Sequence, residues 1–364
     1  MGTGHSANVS QVVFPTLNGL REHDGRSAVG LARVQPEPRD WKELGRSVLD
    51  GYRLSADEAM AVLLSGDDEL LDVLAGAFIL RRACFGMEVR LHLIRNARSG
   101  GCGEDCGFCA QSQEAAGIVP EHPLQSTEEI VAGAREAARL GAFRYCIVTS
   151  GRHAEPGDLE RLCEAARTVK RETSLEVCTS LGLLDEAAAR RLREAGVDRY
   201  NHNLETSERF FPEVCSTHGY EERVETARIV KRVGLALCSG GIIGMGETLE
   251  DRVAMAFAAA EVGADSVPVN FFDPRPGTPF AGQPRPSPAD CLRALAMFRF
   301  VCPNTEVRAA GGREVCLGPL QALALYPANS IFTNGYLTTS GQGHADDLSM
   351  IRAAGFELGG LVQG

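Results

Sequence analysis

Cys102, Cys106 and Cys109 form a C-x3-C-x2-C cluster inside Arg95-Asn-Ala-Arg-Ser-Gly-Gly-Cys-Gly-Glu-Asp-Cys-Gly-Phe-Cys-Ala-Gln-Ser112. Three closely spaced thiolates can hold a metal cluster and leave one coordination position open for chemistry. A structural zinc site normally closes its tetrahedron with four protein ligands, and no Cys or His follows at the usual zinc-finger offset. Spacings of three and two residues also suit a shared ligand better than a disulfide with a spare thiol. Soft thiolates select iron-sulfur clusters, and a 4Fe-4S cube held by three cysteines leaves one iron free to bind a small molecule. Three further cysteines, Cys146, Cys178 and Cys238, fall on separate β-type runs. Each alone reads as a small buried hydrophobe, whereas together they could converge inside a barrel and hold a second cluster; distant cysteines carry no local spacing that decides between the two.

The elements that must position these thiols alternate after Val89. Short β-type runs at 90–96, 144–150, 175–181, 199–206, 235–244, 266–270, 306–311 and 330–334 are separated by amphipathic stretches such as 127–140, 187–195, 221–233, 249–262 and 288–298. Eight β/α units match an α/β fold of the TIM type, a (β/α)8 barrel over residues 88–358. The doubly wound nucleotide fold is the competitor, but Gly240-Gly-Ile-Ile-Gly-Met-Gly246 does not fit G-x-G-x-x-G and there is no Walker A sequence. Helical spacing of apolar residues between Asp40 and Arg82 predicts an N-terminal helical cap over 39–87. Residues 1–38 read as a flexible leader and 359–364 as a tail. Barrel active sites sit at the C-terminal ends of the strands, and Cys102 follows the first of them.

Composition removes several alternatives. The 37 Lys and Arg residues are outnumbered by 48 Asp and Glu, a net charge of -11 that disfavours a nucleic-acid partner. Twelve cysteines would imply disulfides in a secreted chain, but no secretory signal or membrane-spanning run is visible, so a reduced, cytoplasmic location is expected. Met1-Gly-Thr-Gly-His-Ser6 satisfies a loose myristoylation pattern, taken as accidental without a polybasic neighbour.

The loop triad resembles the radical S-adenosylmethionine (SAM) superfamily, whose free iron chelates the amino and carboxylate groups of SAM. Cys-Gly-Glu-Asp-Cys-Gly-Phe-Cys-Ala-Gln-Ser, Tyr200-Asn-His-Asn-Leu-Glu-Thr-Ser207, Cys238-Ser-Gly-Gly-Ile-Ile-Gly-Met-Gly-Glu247 and Ser266-Val-Pro-Val-Asn270 narrow this to a resemblance to the biotin synthase family, running from about Phe85 to Leu358. It implies sulfur insertion into dethiobiotin, with a 4Fe-4S cluster cleaving SAM and an auxiliary 2Fe-2S cluster supplying sulfur. Carried over, Cys102, Cys106 and Cys109 match the cube ligands. Cys146, Cys178 and Cys238 match the auxiliary ligands, and Arg308 matches an unusual fourth one. Arginine stays protonated and ordinarily makes ion pairs, so a barrel-mouth salt bridge is the plain alternative for Arg308.

The same resemblance places Phe108, Asn203, Glu205, Arg223 and Ile243 around SAM. Glu205 would accept from the ribose hydroxyls, Arg223 would pair with the carboxylate, and Ile243 would pack near adenine. Asn201, Asn203 and Asn270 would surround the ureido ring of dethiobiotin, with the backbone at Thr338 and Thr339 near its carboxylate. Asn203 and Glu205 are expected on one face of the fourth strand, with His202 on the other. The resemblance also implies a flavodoxin- or ferredoxin-type electron donor, iron-sulfur assembly partners and a homodimer. Glu205 stands where many members have Asp, and Cys215 is an additional thiol beyond the fourth strand; a larger auxiliary cluster or a role for Cys215 stays open. Cys84, Cys163, Cys291, Cys302 and Cys316 read as core or surface thiols. The rivals are another radical SAM barrel, such as a hydrogenase-cofactor maturase or a carbon-skeleton mutase, and a non-enzymatic iron-sulfur electron-transfer protein.

Overall fold

The computed structural model describes residues 40–115, 119–337 and 341–359. The leader expected at 1–38 and the contacts expected at Thr338 and Thr339 lie outside these residues, as does the expected tail apart from Gly359.

Among the described residues three helices precede the sheet: α1 (Trp41–Leu49), α2 (Ala56–Leu64) and α3 (Leu70–Phe85). Asp40 caps α1, and Ser55 with Glu58 forms a reciprocal capping box on α2, satisfying N–H groups that the first turn leaves unpaired. Val73, Leu74, Ala77 and Leu80 from α3 join the same apolar core as the barrel.

Ten parallel strands follow: β1 (Glu88–Arg98), β2 (Arg144–Thr149), β3 (Glu176–Ser180), β4 (Arg199–Asn201), β5 (Ala236–Cys238), β6 (Gly241–Ile243), β7 (Ser266–Phe271), β8 (Glu306–Ala309), β9 (Ser330–Phe332) and β10 (Glu357–Leu358). They pair in the order β1-β2-β3-β4-β5-β7-β8-β9, and β9 pairs back onto β1. β6 continues the stave of β5 beside β7, and β10 lies outside on β1. The result is a closed eight-stave TIM-type barrel. Its outer layer is built from α4 (Thr127–Arg139), α5 (Pro156–Glu172), α6 (Glu186–Glu194), the short α7 (Phe211–Val214), α8 (Tyr220–Arg232), α9 (Leu249–Glu261), α10 (Pro288–Val301), the short α11 (Arg313–Leu317) and α12 (His344–Ala353). α3 packs on α1 and α10, and α2 on α9 and α10, so the leading helices cover the outside of the barrel.

Two expected strands are shorter than their sequence pattern. Pairing along 199–206 stops at Asn201, and 235–244 breaks between Cys238 and Gly241. The cause is local. Glu205 adopts the left-handed conformation at φ 70°, its N–H donates to the Gly240 carbonyl at 3.1 Å, and its carbonyl accepts from Ile242 N–H at 2.8 Å. The chain after β4 thus leaves the ladder and rejoins it at the Gly240–Gly241 break. A side-chain methyl at Gly240 would collide with the Pro268 carbonyl on β7. Gly240→Ala is expected to destabilise the fold by about 1–3 kcal/mol, the range of overpacked sites, read as a lower Tm. An unchanged Tm would show that the break tolerates a side chain.

The barrel floor is ionic where a TIM barrel usually stacks branched aliphatic residues. Glu306 on β8 accepts from Arg144 of β2 at 3.0 and 3.1 Å and from Ser330 of β9 at 3.1 Å, with Arg90 at 3.6 Å and His92 at 3.3 Å. Arg308 also bonds it. Burial opposes ionisation of Glu306, but the Arg144 and Arg308 guanidinium groups outweigh it and hold the carboxyl well below its usual range. Burial and the neighbouring Arg308 and Arg144 push the His92 pKa down, so this imidazole is neutral.

Candidate active site

The cysteine loop leaves the C-terminal end of β1 and is fastened to the segment that follows α7. Asp105 accepts from Ser216 N–H at 2.9 Å, Thr217 N–H at 3.2 Å, Thr217 Oγ1 at 3.1 Å and Cys215 Sγ at 3.1 Å. Burial opposes its ionisation, yet the Ser216, Cys215 and Thr217 donors hold its carboxyl far below the usual range. Glu104 bonds Thr217 Oγ1 and His218 Nδ1, and Arg152 reaches Glu104 at 3.4 Å. Glu104, Cys215 and His218 bring their donor atoms within 4.8 Å of one another, but hydrogen bonds within the group already engage them. Asp105→Ala leaves two backbone N–H groups without their acceptor. A chelator is expected to strip iron from that variant faster than from the parent chain, followed by iron loss over time; equal rates would mean the fastening does not hold the loop.

Within the loop, Cys109 N–H closes a turn onto the Cys106 carbonyl at 3.0 Å, and Gln111 N–H points at Cys109 Sγ at 3.4 Å. An N–H aimed at sulfur suits a thiolate ligand. Burial pushes the Cys109 thiol up to about 11, so the thiolate form requires a cationic partner such as iron. This donor set fits the cluster expected from the sequence.

The dispersed cysteines come together on the barrel axis. Cys146 and Cys178 are level on β2 and β3 and pack in one buried cluster; Cys238 on β5 is level with Asn201 on β4. Arg308 Nη1 lies 3.6 Å from Cys238 Sγ, its guanidinium stacks 4.9 Å from the Phe332 ring centre, and its buried Nε has no hydrogen-bond partner among the described residues. Arg144, Arg199 and Arg308 are all buried around these thiols with Glu306 as the buried carboxylate, an excess of positive charge suited to thiolate and sulfide ligands. The fit of a second cluster therefore rests on three thiols and an undercommitted arginine.

Both groups open onto one cavity of about 250 Å³, lined among others by Cys109, Cys146, Cys178 and Arg308. Phe108, Asn201, Asn203, Glu205 and Asn270 line it too. Asn270 donates to the Gly241 carbonyl at 3.0 Å and accepts from Gly311 N–H at 2.9 Å, which fixes its amide plane. Asn201 donates to Ser180 Oγ at 3.3 Å. Asn203 donates to Glu205 at 3.4 Å and accepts from Gly240 N–H at 3.3 Å. Asn203 and Glu205 thus meet through the left-handed turn, since β4 has ended before either. Burial raises the Glu205 carboxyl above its usual range, with Arg223 opposing it from 3.7 Å.

Two placements differ from the sequence expectation. Ile243 is fully buried in the core between barrel and helices, while Ile242, level with Asn270 of β7, faces the cavity. Arg223 is buried behind the cavity wall, donating to the Asn203 carbonyl at 2.9 Å. Cys215 packs beside Cys106 and Phe211, away from the strand thiols. His202 is buried outside the cavity lining, although β4 ends one residue before it. Sequence reasoning missed Glu306, Tyr336 and Phe332, which carry no local motif.

Residues 97–259 match the family model for the radical SAM superfamily, and residues 268–357 match the biotin and thiamin synthesis associated domain. A biotin synthase of Salinibacter ruber is 50% identical over 317 residues, covering 87% of this chain and 88% of that protein. One from Halalkalibacterium halodurans is 46% identical over 319 residues, covering 88% of this chain and 96% of that protein. The chain belongs to the biotin synthase family. It is therefore a radical SAM enzyme of the sulfurtransferase type. Among solved structures, methylornithine synthase superposes with a TM-score of 0.76 at 20% identity, covering 87% of this chain and 97% of that one. An FeFe-hydrogenase maturase from Carboxydothermus hydrogenoformans reaches 0.74 at 16%, covering 87% and 78%. These share the barrel alone; the biotin synthase family is distinguished by sequence. Among the described residues no helix is long and apolar enough to cross a membrane.

Proposed function

We propose that this chain converts dethiobiotin to biotin, with Cys102, Cys106 and Cys109 holding a 4Fe-4S cluster and Cys146, Cys178, Cys238 and Arg308 holding an auxiliary cluster of the 2Fe-2S type. The observation that carries this reading is the single cavity reached by Cys109 from its mouth and by Cys146, Cys178 and Arg308 from its floor. Bound there, the two clusters would supply the electron that cleaves SAM and the sulfur that is inserted.

The protein's own part is positioning and exclusion of water. Glu205 receives the ribose hydroxyls of SAM, and Arg223 braces Asn203 and Glu205 from behind. Asn201, Asn203 and Asn270 bond the ureido group of dethiobiotin, their amides held by Ser180, Gly240, Gly241 and Gly311. Phe108, Ile242 and Phe332 supply apolar walls that keep radicals from water. A flavodoxin- or ferredoxin-type donor, a cytoplasmic location, iron-sulfur assembly partners and a homodimer belong to the same reading.

The test is anaerobic incubation of reconstituted protein with SAM, dithionite and dethiobiotin, with both products quantified. 5′-Deoxyadenosine and biotin are expected together. Deoxyadenosine without biotin would sink the substrate assignment, and neither product would sink the radical reading.

A further inference from the structure

Cys215 is a buried thiol that sulfur insertion leaves unused. It ends α7 and packs in one cluster with Cys106 and Phe211. The Gly107 N–H donates to the Val214 carbonyl at 2.9 Å. That bond joins the peptide unit following Cys106 to the one preceding Cys215, so the two Cα atoms flank one hydrogen-bonded pair of peptides. A disulfide spans roughly 4.4–6.8 Å between Cα atoms, the scale of residues facing each other across hydrogen-bonded backbones, about 4.5–5.5 Å in paired strands. Both side chains turn into one small buried cluster with Phe211. Cys215 is also held in place, by Asp105 at 3.1 Å, Thr217 at 3.3 Å and His218 Nδ1 at 3.3 Å.

We propose that Cys106 and Cys215 form a reversible disulfide when oxidant removes the loop cluster. With hydrogen peroxide as oxidant, one thiol sulfur attacks the O–O bond, becomes a sulfenic acid and releases one water. The second sulfur displaces the hydroxyl, forming the S–S bond and releasing a second water. Two thiols and one peroxide thus give one disulfide and two waters. The bond withholds one of three cluster cysteines from reassembly, and it keeps Cys106 from the irreversible sulfinic and sulfonic acids. This consequence rests on Cys106 being a cluster ligand; the crosslink itself does not.

The test starts from anaerobically prepared holoenzyme treated with peroxide and a chelator, followed by alkylation of free thiols and peptide mapping by mass spectrometry. The expected result is a linked pair containing Cys106 and Cys215, cleaved by dithiothreitol, after which iron and sulfide are again taken up. In Cys215→Ala the linked pair is completely lost and Cys106 is recovered as sulfinic or sulfonic acid; Cys215→Ser gives the same readout if the alanine variant does not fold. Wild-type protein with Cys106 joined to Cys102 or Cys109, or over-oxidised while Cys215 remains alkylated, would overturn the proposal. Failure of the cluster reading looks different: anaerobic protein and a Cys106→Ala variant would then bind equal iron, whatever the map shows.

Discussion

Cys178→Ala is expected to abolish biotin formation while the variant still cleaves SAM to 5′-deoxyadenosine. Cys178 sits on β3 level with Cys146, 1% exposed, and belongs to the barrel-floor group, whereas Cys102, Cys106 and Cys109 belong to a loop on another part of the wall. The substitution removes one donor from the floor and touches none in the loop. Biotin yield should fall by roughly 100-fold or more, since losing even a group that merely supports a metal ligand costs about 10–100-fold. Iron and sulfide counts should fall by the content of one cluster, with the loop cluster's absorbance and electron paramagnetic resonance signal retained. Unchanged counts would show that Cys178 is not a ligand. Loss of both clusters together would show that the two groups are not independent.

Glu306→Gln is expected to separate the position of Arg308 from its presence. The carboxylate is 3% exposed and receives Arg144, Arg308, Ser330 and the neutral His92. Removing its charge leaves two buried guanidinium groups without their shared buried counter-ion, and breaking such a pair costs about 3–5 kcal/mol. Tm should drop accordingly. Arg308 should also lose the contact that turns its Nη1 toward Cys238, so the auxiliary cluster should be lost or spectrally altered while the loop cluster persists. Glu306→Asp, which keeps the charge on a shorter arm, should recover Tm more fully than the auxiliary spectrum. A variant with lowered Tm but a normal auxiliary spectrum would assign Glu306 to stability alone.

Much of the architecture was readable from the chain because barrel staves and their helices write strong periodic patterns. Each of the eight expected β runs overlaps an observed stave, and the expected helices at 127–140, 221–233 and 249–262 coincide with α4, α8 and α9 to within a residue at each end. Patterns failed where backbone conformation resets them. Strand alternation would carry Asn203 and Glu205 along β4, but the left-handed Glu205 and the Gly240 break take both residues out of the ladder. They still meet, by a turn and not by a pleat. The same break starts β6 afresh, so Ile242 and not Ile243 is level with Asn270 and faces the cavity.

The sequence by itself determined the chemical inventory: three thiols spaced for one cluster, four motifs that resemble one family, and a charge balance unsuited to nucleic acid. Those are local or compositional properties, and they survive without coordinates. Only the tertiary structure decided which groups meet. Barrel closure brings Cys146, Cys178, Cys238 and Arg308 onto one axis, sets Glu306 beneath them, and carries Cys215 to Cys106 across more than a hundred residues. No spacing rule reaches that far, because the contacts are made by the register of strands and the path of a loop.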